Sequence, residues 1–557
     1  MIRLVHVNPG GRDEPLSLRL SRRRLNTCLK YHALSYPWGD KHDRVEVMVD
    51  GKPIRVTRNL YRALLQYRES LSLRVVGDMI FDSWTLQEQT TGLWVDSLCI
   101  NQEDEDEVVE QVTEMGSLYS SAEKVVIWLG PGAENIEHLS SVFDIARRFD
   151  NDEPDVTLSD GEAVRAAMCL HKLVKEMPWF SRVWVIQEAS LARNDPVVMA
   201  GEAQCHFRGL VNLWYHLGRK CNSTVRALLT TTAQIPAFDA LRDWCQEEAR
   251  WFLSPAVQLN KILPNVMNFK SEKPHDQIYG VLGLLGTESR PEWLRVDYKQ
   301  LPQKLFWEVT VNILSDTGDL AIINRTRSGG QLGVPSWVPN FEDTIFGPNL
   351  PGGPYRSRRS IAFSPDRKIM MAEGVLLGHC VAVSVPQAPR VGESKQSRDQ
   401  SIVDGAKGIM EAIIHPAAKM QNRTLQECKA QFVKGARELA PKPTTLEEDL
   451  GNFELTLDGQ PQWNSLGLNG ACLSPMLLTD RSCVAMLQVE RGSCDMPQIG
   501  DTMVVLKGAS YPYLLRSVGD AMEEYSFLGT CRLLDGLVSC FDDSFFARRE
   551  TRTYKLV

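Results

Sequence analysis

Apolar positions over roughly the first 200 residues fall into two rhythms: short runs closed by turn residues, and longer stretches spaced by three or four. The first rhythm predicts strands and the second helices. His32-Ala33-Leu34-Ser35-Tyr36 is a short, partly apolar run that stops at the turn signal Pro37-Trp38-Gly39-Asp40. Residues 45–49 alternate like a strand, with Gly51-Lys52 as the turn that follows. Thr57 is placed to cap a helix carrying Leu60, Leu64 and Tyr67 on one face. A second strand, Leu93-Trp94-Val95-Asp96, precedes the clearest helix in the chain. Acidic residues crowd its start at 103–107, where the helix dipole favours negative charge, and Val108, Val112, Met115 and Tyr119 then mark one face. Residues 124–129 read as a buried strand closed by Gly130-Pro131-Gly132, and a helix from about 161 ends at Pro178. This alternation predicts an α/β domain over 1–204, built on a mostly parallel sheet with helices on both faces.

The rhythm changes twice after that. Residues 205–330 read as a helical region, broken by Pro236, Pro255, Pro264 and Pro274. Residues 331–557 read as a β-rich region, with runs at 373–377, 381–385 and 502–506 between Gly and Pro turns and a helical insertion near 400–440. Residues 71–92 read as a loop or hairpin set ahead of the Trp94 strand. A chain of 557 residues exceeds one hydrophobic core, so several units are expected.

Composition narrows the classes of function. Apolar residues make up 43% and charged residues 24%, the balance of an ordinary globular protein. The formal charge of -8 and the lack of a long basic run argue against nucleic acid; the short cluster Arg22-Arg23-Arg24 reads as a solvated turn. No stretch reaches the about 18 apolar residues of a membrane span, and residues 1–10 lack a signal-peptide core. A cytoplasmic protein is therefore expected. The 13 cysteines are scattered, odd in number and without a Cys-x-x-Cys pair, so reduced buried thiols are expected and no metal site.

Three segments carry a family signature. The first is Tyr31-His32-Ala33-Leu34-Ser35-Tyr36-Pro37-Trp38-Gly39-Asp40. The second contains Leu93-Trp94-Val95-Asp96-Ser97-Leu98-Cys99-Ile100-Asn101-Gln102, then Gln111-Val112 and Trp128-Leu129-Gly130. The third is Trp179-Phe180-Ser181-Arg182-Val183-Trp184-Val185-Ile186-Gln187-Glu188. Together, in this order, they resemble the fungal heterokaryon-incompatibility (HET) domain. Asp276-Gln277-Ile278-Tyr279-Gly280, Val296-Asp297-Tyr298, Pro335-Ser336-Trp337-Val338-Pro339 and 500–516 resemble segments that follow the domain in large members. Two features depart from the pattern: Pro37 stands where a small or β-branched residue is more usual, and the 71–92 segment is longer.

HET domains are in turn similar to TIR domains, and the resemblance implies a TIR-like fold. Ser35-Tyr36-Pro37-Trp38-Gly39-Asp40 looks like the opening TIR strand and its turn. The interval from Trp184 to Glu188 matches the TIR pattern whose glutamate is catalytic in NAD-cleaving members. The resemblance therefore implies Glu188 as the catalytic residue and the Ser35, Tyr36, Gly39 turn as part of the substrate site, to which Trp38 and Trp184 are added as rings that can stack on a base and Asp40 and Asp96 as acids at strand ends, where ligands of open α/β sheets sit. NAD+ would be a substrate, with no cofactor and no metal. Cleavage at the ribose develops positive charge on the sugar, which a nearby carboxylate stabilises. Self-association on activation and an incompatibility partner protein are also implied.

Each of these residues has a structural alternative. Trp94, Trp128, Trp179 and Trp184 fit a core, Asp40 a turn, Asp96 a loop tie, and Arg182 and Glu188 an ion pair. The rival function is a non-enzymatic interaction module that recruits death-pathway partners. A Glu188 carboxylate in the packed interior, or facing away from the turn, would end the catalytic reading and leave the family resemblance standing.

Overall fold

The computed structural model describes residues 1–11, 14–25, 30–72, 92–131, 136–150, 156–201, 203–220, 223–266, 269–286, 290–325, 333–342, 361–386, 395–437, 446–458, 460, 472, 474–488, 496–519, 523–534, 541 and 543–557. The 71–92 expectation therefore lies almost wholly outside the described residues. The chain forms two compact units, Met1–Lys299 and Gln300–Val557.

The first unit is built on a nine-stranded sheet among the described residues. Its strands are β1 (Ile2–Val7), β2 (Ser17–Arg23), β3 (Tyr31–Ser35), β4 (Arg44–Val49), β5 (Lys52–Thr57), β6 (Gly92–Trp94), β7 (Lys124–Trp128), β8 (Val197–Ala200) and β9 (Ala203–His206). They lie in the order β5-β4-β2-β1-β6-β3-β7-β8-β9. The expected mostly parallel sheet is corrected to a mixed one. Only the centre, β6-β3-β7-β8, is a parallel run, and β2 also pairs β4 in parallel. The pairs β1–β2, β1–β6, β4–β5 and β8–β9 are antiparallel. Turn chemistry gives one reason. Asp50 and Gly51, at φ 49° and 75°, make a two-residue turn that folds β5 straight back on β4. A parallel neighbour needs a long crossover instead.

Two local expectations also change. β1 lies outside the predicted elements, though it is mostly buried, and the supposed solvated turn at Arg22-Arg23 is strand: Arg22 pairs with Arg3 and Arg23 with Ile2.

The helices of this unit are α1 (Arg58–Ser72), α2 (Asp96–Cys99), α3 (Glu105–Ser121), α4 (Ile136–Arg147), α5 (Asp160–Glu176), α6 (Val185–Ser190), α7 (Phe207–Gly218), α8 (Ser223–Leu229), α9 (Gln234–Gln246), α10 (Pro255–Ile262) and α11 (Asp276–Tyr279). Their ends follow local chemistry. Asp104 caps α3 by accepting the Asp106 and Glu107 amides, and α5 opens on a reciprocal Ser159–Glu162 capping box. Pro236 does not break α9, because it is the third helical residue, where the amide has no intrahelical partner to lose. Thr57 caps α1 through the Leu60 amide at 3.3 Å.

The second unit opens with the helix Pro302–Thr317, stopped by Gly318 in the left-handed region at φ 64°. An eight-stranded sheet follows among the described residues. The runs at 373–377 and 381–385 are one strand, Met370–Ser384. Register shifts between Leu376 and Gly378, and between Cys380 and Ala382, bend it so that its first part pairs Thr502–Leu506 and its last part Met476–Thr479. The helical insertion is longer than expected, with helices Lys395–Ile409, His415–Gln421, Leu425–Arg437 and Leu446–Leu457 sharing a core around Ile409, Ile413, Phe432 and Phe453. Among the described residues of the chain, no helix is long and apolar enough to cross a membrane.

Candidate functional site

The centre of the first sheet aims three chain ends at one edge. β3 lies between β6 and β7 and is parallel to both, so Ser35 at the end of β3 and Asp96 just past β6 leave the sheet on the same side. That edge is where open α/β sheets commonly hold ligands. α6 packs over β3 and β7 and carries Glu188 to this edge from 153 positions further along the chain.

There Glu188 joins a short directed chain of hydrogen bonds. The Trp179 indole N–H donates to the Ser35 hydroxyl at 2.7 Å, and that hydroxyl donates to Glu188 Oε2. Glu188 is 3% exposed and Ser35 fully buried. Burial pushes the Glu188 carboxyl up to about 7, against the charge of Arg182 and the Ser35 hydrogen bond, with the charge of Asp96 adding to the rise. Trp179 also stacks on Phe238 at 5.3 Å between ring centroids, so its ring is core while its N–H serves the site.

A second group of contacts sits on the turn after β3. Trp38 Nε1 donates to Asp96 Oδ2 at 2.8 Å, and the Ser97 amide donates to Asp96 Oδ1 at 2.6 Å. Asp96 is half-buried, and burial raises its pKa against the charge of Arg182 and these hydrogen bonds. The hydroxyls of Tyr36 and Ser97 are 2.7 Å apart, and Arg182 donates to the Tyr36 carbonyl. Pro37 is buried in this turn. Its carbonyl accepts from Asn59 Nδ2 at 2.5 Å, and Asn59 Oδ1 in turn accepts the Trp128 indole N–H at 3.4 Å. Gly39 adopts φ 76°, a left-handed conformation that favours glycine.

The candidate residues thus divide. Ser35 and Glu188 touch, and Tyr36, Trp38 and Asp96 meet beside them around Arg182 and Ser97. Gly39 and Asp40 are exposed, and Asp40 Oδ1 accepts the His42 amide at 2.9 Å, as a turn residue does. Trp184 sends its N–H to Asp276 Oδ2 at 3.1 Å, not to the Glu188 network. Four participants lie outside the sequence-predicted site: Ser97, Trp179 as a donor, Arg182 and Asp276. All four belong to segments already singled out, but nothing in their spacing tells which partner each takes. Glu188 meets the turn, yet it does so in the packed interior. Among the described residues, no group of three or more His, Cys, Asp or Glu side chains is placed to hold a metal ion.

The first unit is thus an α/β unit with a buried acid at the strand ends of its sheet. Residues 31–188 match the family model described as "Heterokaryon incompatibility protein (HET)", and this segment of the chain is a HET domain. It is also similar to "Heterokaryon incompatibility protein 6, OR allele" of Neurospora crassa, at 30% identity over 57% of this chain and 54% of that protein. The chain therefore spans about half the length of that curated relative. No solved structure matches the chain.

Proposed function

We propose that this chain is an effector of fungal non-self recognition, a cytoplasmic protein whose HET domain triggers cell death when it meets an incompatible partner. The family match and the relative's name support the role in incompatibility. Within that role, burial of Glu188 is the observation that carries most weight. At 3% exposure, hydrogen-bonded to Ser35, the carboxyl ties α6 to the end of β3 and has no route to a ribose. The described conformation is therefore best read as an interaction module at rest, with Glu188 structural.

A specific observation favours the TIR-like, NAD+-cleaving reading as the second. Two acids, Glu188 and Asp96, converge at the ends of parallel strands beside a half-buried Trp38, and Glu188 titrates near 7. In this reading the 36–40 turn swings away on activation and self-association, opening Glu188 to the substrate. Full-length chain and Glu188→Gln are expressed in a filamentous fungus and scored for cell death. Both purified proteins are then incubated with NAD+, with and without a crowding agent, and nicotinamide is measured. Killing without nicotinamide release supports the module. Killing with release that vanishes in a folded Glu188→Gln supports hydrolysis. A chain that does not kill alongside any incompatible strain overturns the proposed role.

A further inference from the structure

We propose that residues 269–286, with Tyr298, form a latch that holds the Glu188 site shut, and that Asp276 is its catch. This rests on the second reading above, in which the site acts on being opened. α6 has only six residues, too few to persist as a helix by itself, so its position depends on what it is tied to. Five hydrogen bonds join it and the residues just before it to this one segment, while Arg182, Glu188 and Ser190 tie to Tyr36, Ser35 and Phe238. The Val183 amide donates to the Lys270 carbonyl at 2.9 Å, and the Lys270 amide to the Ser181 carbonyl at 2.5 Å. Gln187, the neighbour of Glu188, is gripped at both ends: its Nε2 donates to the Tyr279 carbonyl at 3.3 Å, and its Oε1 accepts the Gly283 amide at 2.8 Å. Asp276 is 6% exposed, and its two oxygens accept separate donors, Trp184 Nε1 at 3.1 Å and the Tyr298 hydroxyl at 2.7 Å.

The same segment also reaches the turn. Glu272 pairs with Lys41 at 2.5 Å, and Lys41 Nζ sits 5.9 Å from the Trp38 ring centroid. One stretch of chain thus touches both walls of the closed site, the helix that carries Glu188 and the loop that carries Trp38. The character of these ties fits release. The Lys41–Glu272 pair is exposed, with side chains 48% and 75% accessible, so it adds little stability and yields to competing charge. The remaining ties are hydrogen bonds, whose net worth of about 1 kcal/mol each lets a partner's contacts replace them. Releasing the catch frees Trp184 and, through it, the start of α6.

Hydrogen exchange on the full-length chain tests the latch. In Asp276→Ala, amides at 36–41 and 183–190 are expected to exchange at least tenfold faster, while β7 and α3 keep their wild-type protection. Tyr298→Phe, which keeps the ring and removes one hydrogen bond, is expected to show the same pattern more weakly and stands in if Asp276→Ala does not fold. Acceleration that spreads to β7 and α3 overturns the proposal, because Asp276 is then ordinary core support. No acceleration in either region also overturns it. Local opening accompanied by greater cell death supports latch and function together. Local opening without killing supports the latch and refutes the reading of what the site does.

Discussion

Replacing Glu188 by glutamine removes a titrating proton while keeping an oxygen that can accept from Ser35. Glu188 titrates at about 7 in the fold against an ordinary value of 4.5. Because the folded value lies above the unfolded one, the folded chain holds an extra proton between them. Stability contributed by the neutral carboxyl is therefore fully present below pH 4.5 and is lost as pH rises towards 7. A rise of about 2.5 pKa units at 1.36 kcal/mol each makes the loss about 3 kcal/mol by pH 8. A glutamine at this position carries no charge to bury, so Glu188→Gln is expected to overtake the wild type as pH climbs. Urea unfolding of both proteins at intervals from pH 4.5 to 8 measures this, with the difference taken at each pH so that shared titrations cancel. Asp96 titrates in both proteins, and its repulsion of Glu188 steepens the wild-type fall alone. Parallel stability curves across this range would refute the buried, protonated Glu188 on which the closed site rests.

Three further substitutions probe the frame around it. Ser35→Ala strands the Trp179 N–H and removes the donor to Glu188, two buried groups worth about 1–3 kcal/mol each, so a loss of at least 2 kcal/mol is expected in chemical denaturation. In Gly116→Ala the new Cβ would meet Gly283 Cα at 2.6 Å. The overpacking cost of about 1–3 kcal/mol outweighs a helix-propensity gain of about 1 kcal/mol, and a lowered melting temperature is expected. Ser159→Ala breaks the capping box of α5 and is expected to cost about 1 kcal/mol in the same melt, leaving hydrogen exchange at 183–190 unchanged.

Much of the first unit could be read from residue pattern, and the exceptions have physical causes. β3, β4, β7 and α3 stand close to where alternation, turn residues and acidic caps put them, because those signals act over a few residues. β1 and β2 were hidden by their arginines. Arg19, Arg22 and Arg23 break the apolar count of a strand at whose face they need only lean outwards. Strand direction failed for a different reason. Local alternation does not tell which strands become neighbours, and β1, β2 and β5 enter as antiparallel partners. At the site, the meeting of the opening strand with Glu188 was legible only through family resemblance, since 153 positions separate Ser35 from it. The Trp184 backbone is helical and its carbonyl accepts the Glu188 amide at 3.4 Å, yet its indole N–H is taken by Asp276, a partner that no local spacing reveals.

The family match stops at Glu188, but the physical unit does not. Met1–Lys299 is one compact body, and the helix carrying Glu188 is fastened by residues far beyond it in the chain, at Lys270, Asp276, Tyr279 and Gly283. Gly283 shows how closely this later segment is fitted, since a Cβ there would come within 2.2 Å of Gln187 Oε1 and 2.6 Å of Gly116 Cα. Cutting the chain just past residue 204 therefore removes the partners of Trp184 and Gln187 and strips α6 of the contacts that set its position. A fragment of that length tests the released state of the site, whereas a fragment ending at Lys299 tests the closed one. Activity confined to the shorter fragment argues for restraint by 269–286. Activity confined to the longer one argues that the same residues build the site.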